Sequence, residues 1–377
     1  MRVLFPFVGD SVGGSHRSIL ELYYMLESNS ITPIFVIHRM GPLSELFDAI
    51  NIQYEYIPVK YLAGESPSLL KIIFGIIFNY LKLIKFINKN KIDIVHGNDL
   101  RINLTWSLPT KLSRSAYLWH QRSFMSSSIF WKSSVLLADH FVSISKYVDQ
   151  SLPNNIPRLK KTLILNPFDV KNIYDKNESR RWLNKLYSIS KKTILLGYIG
   201  RLLDWKNIDF LLRGFAKYAK NSVLQVNLII VGTGDNEYID ILKQLACQLG
   251  VEDIVIFAGF NAKPNKVISA FDVIIAPSNR EPFGRTLVEA MIQFTPVLAA
   301  RGGGHSEIIN DGITGRLYSH NNIGNFMSQL DKYMNSRSAH KITNKANTIA
   351  SLKYSSQQHF ENIVQIYKQL VCSHSQK

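Results

Sequence analysis

The sequence predicts an α/β protein made of two doubly wound domains. The chain has 377 residues, more than one hydrophobic core usually serves. Short β-rich runs alternate with helical patterns along most of it, as in parallel sheets built from βαβ units. A polar segment near residues 166–192 lacks both periods and separates the runs into two sets. We therefore expect one parallel sheet on each side of that segment.

The candidate strands are short runs rich in branched aliphatic and aromatic residues. In the first set they are RVLFPFV, TPIFVI, YEYIPV, IDIVHG, AYLWH, HFVSIS and TLIL, and in the second they are TILLGYIG, VNLIIVG, DIVIFAG, DVIIAP and PVLAA. Apolar spacing between Ser351 and Leu370 predicts a last helix, which could pack on either domain. The predicted domains are residues 1–170 and 171–350, followed by a helix and tail over 351–377.

Composition limits the partners and the compartment. The formal net charge of +16 indicates an anionic partner, and charge alone does not choose among nucleic acid, an anionic membrane surface and phosphorylated substrates. Cys247 and Cys372 lie far apart, so we expect buried or inert thiols and no disulfide framework. The N-terminal run MRVLFPFVGD is too short for a signal-peptide core, which favours a first buried strand and a cytoplasmic location.

The segment Leu69 to Lys91 leaves two interpretations open. Its uninterrupted apolar run covers only Ile72 to Leu81, whereas a transmembrane helix needs about 20 apolar residues. The segment is either a helix packed on the sheet or a basic amphipathic helix on anionic lipid at the inner face of the cytoplasmic membrane. We favour packing on the sheet as the simpler interpretation.

Polar residues follow several of the predicted strands. Residues 11–15, 120–122, 200–201 and 232–234 each begin where a strand ends. In open α/β sheets, ligands bind beyond the carboxyl ends of the strands. We therefore expect the two domains to face a central ligand cleft. Gly232 and Gly234 form only part of a dinucleotide fingerprint, so a tight strand-to-helix turn explains them equally well.

Two cations and two acids stand out in the second half. Arg201 and Lys206 lie within one loop, where they form either a surface salt-bridge pair or a diphosphate site. Glu281 precedes Pro282, which disfavours helix. Glu289 falls on the apolar helical pattern that starts after Gly284. The stretch NREPFGRTLVEAM thus puts one acid in a loop and the other on the following helix.

His120 is a candidate for donating to a sugar oxygen or carrying a proton, although a lone histidine is more often structural. The sequence contains no Asp-x-Asp and no cluster with metal-ligand spacing, so we expect no tightly held metal. A Gly-x-Ser-x-Gly element for acyl chemistry is absent as well.

Together these loops resemble those of glycosyltransferase family 4, retaining nucleotide-sugar transferases of the GT-B fold, which has two Rossmann-like domains. The likeness covers almost the full length and is strongest from Gly200 to Tyr318. Its motifs there are GRLLDWKN, PSNREPFGRTLVEAM with two glutamates eight positions apart, and AARGGGHSEIINDGITGRLY. The N-terminal half is similar through GGSHRS, IDIVHGND and WHQR.

This resemblance implies roles for the two acids and the turn between them. Glu281 would hold hydroxyl groups of the donor sugar, and Glu289 would accept both ribose hydroxyls of the nucleotide. Phe283 and Gly284 would offer backbone amides. A carboxylate has two acceptor oxygens, which suits a vicinal diol.

Four further residues receive roles in the same way. Arg201 and Lys206 would neutralise the donor diphosphate, and Gly14 would let the first loop approach it closely. His120 would be catalytic, together with Glu281. No cofactor is implied beyond the nucleotide-sugar substrate.

The implied reaction transfers a sugar from a nucleoside diphosphate to a hydroxyl of a glycan or lipid-linked acceptor, with retention at the anomeric carbon. Enzymes of bacterial surface polysaccharide assembly, such as O-antigen or capsule, are the nearest functional class, and nucleic acid is not an expected partner. The alternatives are a nucleotide-sugar epimerase or hydrolase of the same fold, and a non-catalytic membrane-assembly scaffold. The donor sugar, the nucleotide base, the acceptor with the linkage formed, and the oligomeric state stay open.

Overall fold

The computed structural model describes residues 1–27, 29–59, 62, 68–125, 134–334 and 339–375. It divides the chain into two compact units, one formed by Met1–Phe168 with Ser356–Lys377 and the other by Asp169–Ser355. The chain therefore leaves the first unit once and returns to it for its last helix. The predicted boundaries at residues 170 and 350 lie a few residues from these two crossings.

The first unit contains a parallel sheet of seven strands in the order β3-β2-β1-β4-β5-β6-β7. Its strands are β1 (Arg2–Phe7), β2 (Thr32–Ile37), β3 (Glu55–Tyr56), β4 (Ile94–Gly97), β5 (Ala116–Gln121), β6 (His140–Ser143) and β7 (Lys161–Leu163). Its helices are α1 (Gly14–Glu27), α2 (Pro42–Ala49), α3 (Leu69–Lys89), α4 (Leu100–Lys111), α5 (Lys146–Asp149) and the last helix of the chain. Continuous burial along β4, β5 and β6 is typical of a parallel sheet covered on both faces.

The second unit contains a parallel sheet of six strands in the order β10-β9-β8-β11-β12-β13. Its strands are β8 (Ile194–Ile199), β9 (Val226–Val231), β10 (Val255–Gly259), β11 (Val273–Ala276), β12 (Val297–Ala300) and β13 (Arg316–Tyr318). The helices are α6 (Lys176–Leu186), α7 (Ile208–Asn221), α8 (Asn236–Gln248), α9 (Pro264–Ala270), α10 (Arg285–Ile292), α11 (His305–Ile308), α12 (Ile323–Met334) and α13 (Ala339–Lys353). All the predicted strands are present in the two sheets.

Three features differ from the expectations. The predicted helix from Ser351 to Leu370 is interrupted, because α13 ends at Lys353 and α14 (Ser356–Ser375) begins after it. The polar segment before β8 contains α6, whose start is capped by Asp175 accepting from the Glu178 N–H at 2.7 Å. Both cysteines are free and exposed, so the expectation of burial is wrong.

The last helix belongs to the first unit. Phe360, Ile363, Ile366 and Tyr367 are buried in the same apolar core as residues of β1, β2 and α1. This resolves the choice that the sequence left open. Their spacing places them on one face of α14, as the sequence predicts.

Helix α3 confirms the predicted packing on the rest of its domain. Leu83 and Ile87 lie in a buried cluster with Trp106 of α4. Within the described residues, no helix combines the length and the apolar character needed to cross a bilayer.

A buried histidine follows β2 and ties it to two other elements. His38 is 1% exposed; its Nδ1 lies 2.7 Å from the Ile57 carbonyl oxygen, and its Nε2 accepts from Trp106 Nε1 at 2.9 Å. Burial, together with the charge of Lys82, lowers the pKa of His38 from 6.5 to about 4, although the hydrogen bond to Ile57 raises it in part. Both nitrogens are therefore satisfied only when the ring is neutral.

The lowered pKa predicts acid sensitivity with a defined sign. The unfolded chain binds a proton near pH 6.5, whereas folded His38 resists it, so this contribution to stability is complete above pH 6.5 and is lost as the pH falls toward 4. We expect His38→Gln to lower the free energy of unfolding at pH 7.5. The difference in the free energy of unfolding between the natural chain and His38→Gln should shrink by about 3 kcal/mol as the pH falls from 7.5 to 4.

Urea unfolding at a series of pH values measures this difference. His140→Gln serves as a control, because burial lowers the pKa of that histidine as well but it lies on another strand and is less deeply buried. Parallel stability curves for the natural chain and His38→Gln across this range would contradict the assignment.

Candidate functional site

An ion pair joins two loops at the carboxyl edge of the second sheet. Lys206 ends a short 3-10 turn after β8, and its Nζ pairs with Glu281 Oε2 in the loop after β11. The side chains are only 16% and 18% exposed. Lys206 also lies over the Trp205 ring, 4.3 Å from its centroid. The structure thus brings together two residues, 75 positions apart, that the sequence assigns to the same ligand.

The loop that carries Lys206 is fixed by its backbone. Asn207 directly precedes α7 and adopts a left-handed conformation with φ 61°. Its side-chain amide donates to the Pro277 carbonyl oxygen at 3.3 Å. The Trp205 carbonyl oxygen accepts from the Ser278 hydroxyl at 3.1 Å. The loops after β8 and β11 therefore support each other independently of the ion pair.

Three consecutive glycines after β12 pack directly on the Glu281 loop. The Gly304 N–H donates to the Glu281 carbonyl oxygen at 2.8 Å. A Cβ atom on Gly304 would lie 2.2 Å from the Phe283 carbonyl oxygen, and one on Gly303 would lie 2.6 Å from that of Glu281. Any side chain at these two positions would displace the loop. The glycine run therefore serves close backbone packing.

The turn between the two glutamates begins α10. Gly284 directly precedes this helix and has φ 102°. Residues with a side chain rarely adopt this left-handed backbone conformation. Phe283 is buried and packs edge-on against Tyr354, with ring centroids 5.8 Å apart. The Phe283 side chain is therefore committed to packing, and the expected role of its amide stays a prediction. Thr286 donates to the Ile199 carbonyl oxygen at 3.2 Å, which anchors α10 at the end of β8.

Glu289 lies one turn inside α10 and is 9% exposed. Its Oε1 is 3.5 Å from Arg285 Nε, on the same face of the helix. The carboxylate is thus held beside a cation at the start of the helix, and its height above the sheet is set by the helix itself. Such a fixed pair of acceptor oxygens can recognise two neighbouring hydroxyls.

Arg201 is exposed, and within the described part of the chain its guanidinium makes no ion pair. Its carbonyl oxygen accepts from the Tyr198 hydroxyl at 2.9 Å, which fixes the backbone of the loop. Among the described residues neither Arg201 nor Lys206 pairs with an acid of its own loop, and Lys206 instead pairs with Glu281 of the loop after β11.

The glycines after β9 have a packing role. A Cβ atom on Gly232 would lie 1.8 Å from the Gly200 carbonyl oxygen, and one on Gly234 would lie 2.0 Å from the Leu202 carbonyl oxygen. The neighbouring loop approaches too closely for any side chain. This favours the turn interpretation over a nucleotide fingerprint.

His305 borders the site, and sequence reasoning missed it. It is buried at the start of α11, and a Cβ atom on Gly284 would lie 3.0 Å from its Cδ2. Burial lowers the pKa of His305, while the nearby Glu281 carboxylate raises it in part. The available signal was its position directly after three glycines.

In the first unit, Gly14 is the exposed first residue of α1. Its carbonyl oxygen accepts from the Ser18 hydroxyl at 3.0 Å. Arg122 follows β5 and donates through Nε to Asn98 at 2.8 Å and through Nη1 to Asn166 at 2.7 Å. Arg122 thereby connects the ends of β4, β5 and β7.

His120 lies within β5, which continues through Gln121, so the prediction that residues 120–122 follow the strand holds only for Arg122. Burial is complete, and it lowers the pKa of His120 well below 6.5. The ring stacks on His96 at 5.3 Å. Its Nδ1 faces His96 Nε2 at 3.1 Å and Arg122 Nη2 at 3.4 Å. Since a guanidinium only donates, Nδ1 accepts and the proton lies on Nε2.

His96 completes the chain of hydrogen bonds. Its Nε2 donates to His120, so its Nδ1 accepts from the Tyr367 hydroxyl of α14 at 2.6 Å. The Nε2 of His120 is buried without a hydrogen-bond partner among the described residues. A buried donor of this kind is costly unless something binds it.

The structure therefore assembles six predicted residues in the second unit, and it keeps two in the first. The six are Arg201, Lys206, Glu281, Phe283, Gly284 and Glu289, and the two are Gly14 and His120. Across the described ranges, no group of three or more His, Cys, Asp or Glu side chains is placed to hold a metal ion.

Part of this chain is similar in sequence to known proteins. Residues 181–349 match the family described as glycosyl transferases group 1. The chain is 32% identical over 174 residues to an uncharacterized glycosyltransferase of Methanocaldococcus jannaschii, covering 45% of this chain and 44% of the relative. It is 33% identical to N-acetyl-alpha-D-glucosaminyl L-malate synthase of Bacillus anthracis, over 36% of this chain and 34% of the other. The chain thus spans less than half the length of the curated relatives it matches.

Solved structures are similar over nearly the whole chain. Anabaena Alr3699/HepE, solved with UDP and glucose, superposes with a TM-score of 0.85 at 21% identity, covering 98% of this chain and 99% of that one. The lipopolysaccharide outer core galactosyltransferase WaaB has a TM-score of 0.72 at 19% identity, covering 98% and 100%. The predicted fold class is confirmed: this chain has the two parallel-sheet α/β domains of GT-B glycosyltransferases, and residues 181–349 are similar to glycosyl transferases group 1.

Proposed function

We propose that this chain is a retaining glycosyltransferase that transfers a sugar from a nucleoside diphosphate to a hydroxyl of a glycan or lipid-linked acceptor. The observation that carries the proposal is the ion pair between Lys206 and Glu281, set beside the left-handed turn at Gly284. It brings a cation suited to phosphate and a carboxylate suited to sugar hydroxyls to one point. The glycosyltransferase likeness of residues 181–349 supports it.

Charge drives the proposed chemistry. Negative charge grows on the departing diphosphate, so Arg201 and Lys206 act where the transition state needs cations. The Lys206 ammonium has three donors and can hold Glu281 and a phosphate oxygen together. Glu281 then positions the sugar, and Glu289 holds the ribose. Gly14, which has no side chain, lets a ligand approach the first loop closely.

His120 enters this proposal as a hydrogen-bond donor. Burial keeps its ring neutral at pH 7, which disfavours a role as proton carrier. Its Nε2–H lacks a hydrogen-bond acceptor among the described residues, and a sugar oxygen would supply one. We assign the acceptor's proton to the leaving phosphate, as in front-face transfer with retention.

The proposed setting is surface polysaccharide assembly, such as O-antigen or capsule, on the cytoplasmic side of the membrane. One structural neighbour is by name a lipopolysaccharide outer core galactosyltransferase, and we propose the same class of acceptor here. We also propose UDP as one nucleotide to test first, because Anabaena Alr3699/HepE was solved with it.

Isotope-labelled donors incubated with and without acceptor lipid extracts test the reaction. Transfer to the lipid fraction supports the proposal. Free sugar released at the same rate without acceptor would indicate a hydrolase, and a change in the donor sugar itself would indicate an epimerase. Absence of any nucleotide binding would favour the scaffold.

The two glutamates should separate kinetically. If Glu289 holds the ribose equally in ground and transition states, Glu289→Ala should weaken donor and free nucleotide binding about tenfold to a hundredfold. Glu281→Ala should chiefly lower turnover and leave the affinity for the free nucleoside diphosphate nearly intact.

Calorimetry with the nucleotide alone and initial rates with the donor give the two readouts. Asp240→Ala is the matched control, because Asp240 forms an exposed pair with Lys243 at 3.6 Å in the same unit. Loss of nucleotide binding in Glu281→Ala, together with normal binding in Glu289→Ala, would reverse the assignment.

Activity should not require an added divalent metal, because Arg201 and Lys206 already supply positive charge at the diphosphate. We expect the same turnover after treatment with EDTA as before it, measured as labelled product per unit time. Complete loss of turnover in EDTA that manganese restores would refute this prediction.

A further inference from the structure

Helix α3 carries a broad apolar surface that faces solvent. Six large side chains on it are between 41% and 75% exposed, and together they define the exposed α3 face: Leu70, Ile73, Phe74, Ile77, Phe78 and Leu81. Exposed apolar residues occur singly on most soluble surfaces, whereas a contiguous patch marks an interaction site. Such a patch of six residues in twelve positions therefore needs a partner.

The other side of α3 holds the helix on its domain. Asn79, Leu83 and Ile87 are buried, and the two leucine and isoleucine side chains pack in one cluster with Trp106. The helix thus uses one face for the fold and leaves the exposed α3 face for something outside the described chain. Because the buried face packs against the domain, only the exposed α3 face can contact a partner.

Lysines flank the exposed α3 face on one side. At about 100° per residue, the six apolar residues cover an arc of about 140°, and Lys71, Lys82, Lys85 and Lys89 fall within about 60° at one margin of it. The helix contains no acidic residue. This is the arrangement of a helix that lies in a lipid interface, with apolar side chains in the acyl region and cations at the headgroups.

Two other occupants fit less well. A second copy of the chain would bring the same lysine margin into a symmetric interface, where like charges oppose association. A soluble protein partner would need a surface of equal apolar extent. An anionic bilayer satisfies both the apolar arc and the lysine margin, and the chain as a whole carries a net charge of +16.

The position of α3 connects this surface to the loops of the first unit. The chain runs from β3 through α3 into β4, and both strands are parallel members of one sheet. A helix in such a connection runs antiparallel to the strands. The start of α3, which carries Leu70, Phe74 and Phe78, therefore lies toward the carboxyl edge of the sheet, the edge where Gly14 and Arg122 follow their strands.

We propose that the exposed α3 face docks the protein on an anionic bilayer and thereby brings the carboxyl edge of the first sheet to the headgroup layer. An acceptor with a lipid anchor would present its sugar there. The identity of the acceptor as lipid-linked rests on the proposed function, whereas the docking itself does not.

Vesicle flotation tests the docking. The probes are vesicles of phosphatidylcholine alone and of phosphatidylcholine mixed with phosphatidylglycerol. We expect binding to the mixed vesicles only, and Phe74→Ser/Phe78→Ser should lower the partition coefficient by about tenfold or more. Lys71→Gln/Lys85→Gln should lower it as well, and raising the salt concentration should mimic this second pair because screening acts on the charges.

A matched pair of leucines controls for loss of exposed apolar area. Leu70 on α3 is 75% exposed, and Leu352 on α13 is 74% exposed. Leu70→Ser should weaken vesicle binding, and Leu352→Ser should leave it unchanged. Melting temperatures and nucleotide affinity are measured on every variant, so that a folding defect is recognised.

The outcomes are distinct. Equal vesicle binding by the natural chain and Phe74→Ser/Phe78→Ser would overturn the proposal, as would equal effects of Leu70→Ser and Leu352→Ser. A concentration-dependent dimer that Phe74→Ser/Phe78→Ser dissociates, without vesicle binding, would assign the face to a second copy. Normal docking combined with no nucleotide binding would refute the glycosyltransferase and leave the docking surface intact.

Discussion

The candidate site depends on the pairing of Lys206 with Glu281. Neither charge is well solvated, so each requires the other, and removing one partner would leave a largely buried charge unpaired. Hydrogen bonds to the backbone keep the two residues together. The Gly304 N–H donates to the Glu281 carbonyl oxygen, and the Ser278 hydroxyl donates to the Trp205 carbonyl oxygen. Because these contacts do not involve the charged atoms, the two loops keep their places when a ligand competes for Lys206. The pair is therefore both a local stabiliser and an exchangeable contact.

Sequence reasoning located the strands and named most residues of the candidate site, because strands and strand ends leave short-range signals. Buried parallel strands read as continuous apolar runs, and the carboxyl ends of those runs located the loops of Arg201, Lys206 and Glu281. Sequence reasoning missed α6, because this helix has few apolar residues from which a helical period could be recognised. The pairing of Asp175 with Glu178 three residues later is nevertheless typical of a helix start. Sequence reasoning also missed β13, which has only three residues. His305 and the pairing of Lys206 with Glu281 depend on tertiary approach, which no local pattern encodes.

The sequence motif around His120 predicts the position of this histidine but not its tautomer or its charge. The sequence indicates a histidine at the end of a strand, and the structure adds its neighbours: His96, Arg122 and, through His96, Tyr367. These neighbours fix the tautomer, and burial keeps the ring neutral. The Arg122 guanidinium thus sets the direction of hydrogen bonds that run from His120 through His96 to the Tyr367 hydroxyl near the end of the chain.

The return of the chain to the first unit has a consequence for folding order. Residues Asp169–Ser355 form a contiguous unit that can close its core as soon as it leaves the ribosome. The first unit cannot, because Ile363 and Tyr367 fill its core and are synthesised only after residues 169–355. Until they arrive, β1 and β4 lack part of their cover, and His96 lacks its hydroxyl partner. During translation, the domain that begins first is therefore the one completed last, and it is the one exposed to chaperones and proteases for longer.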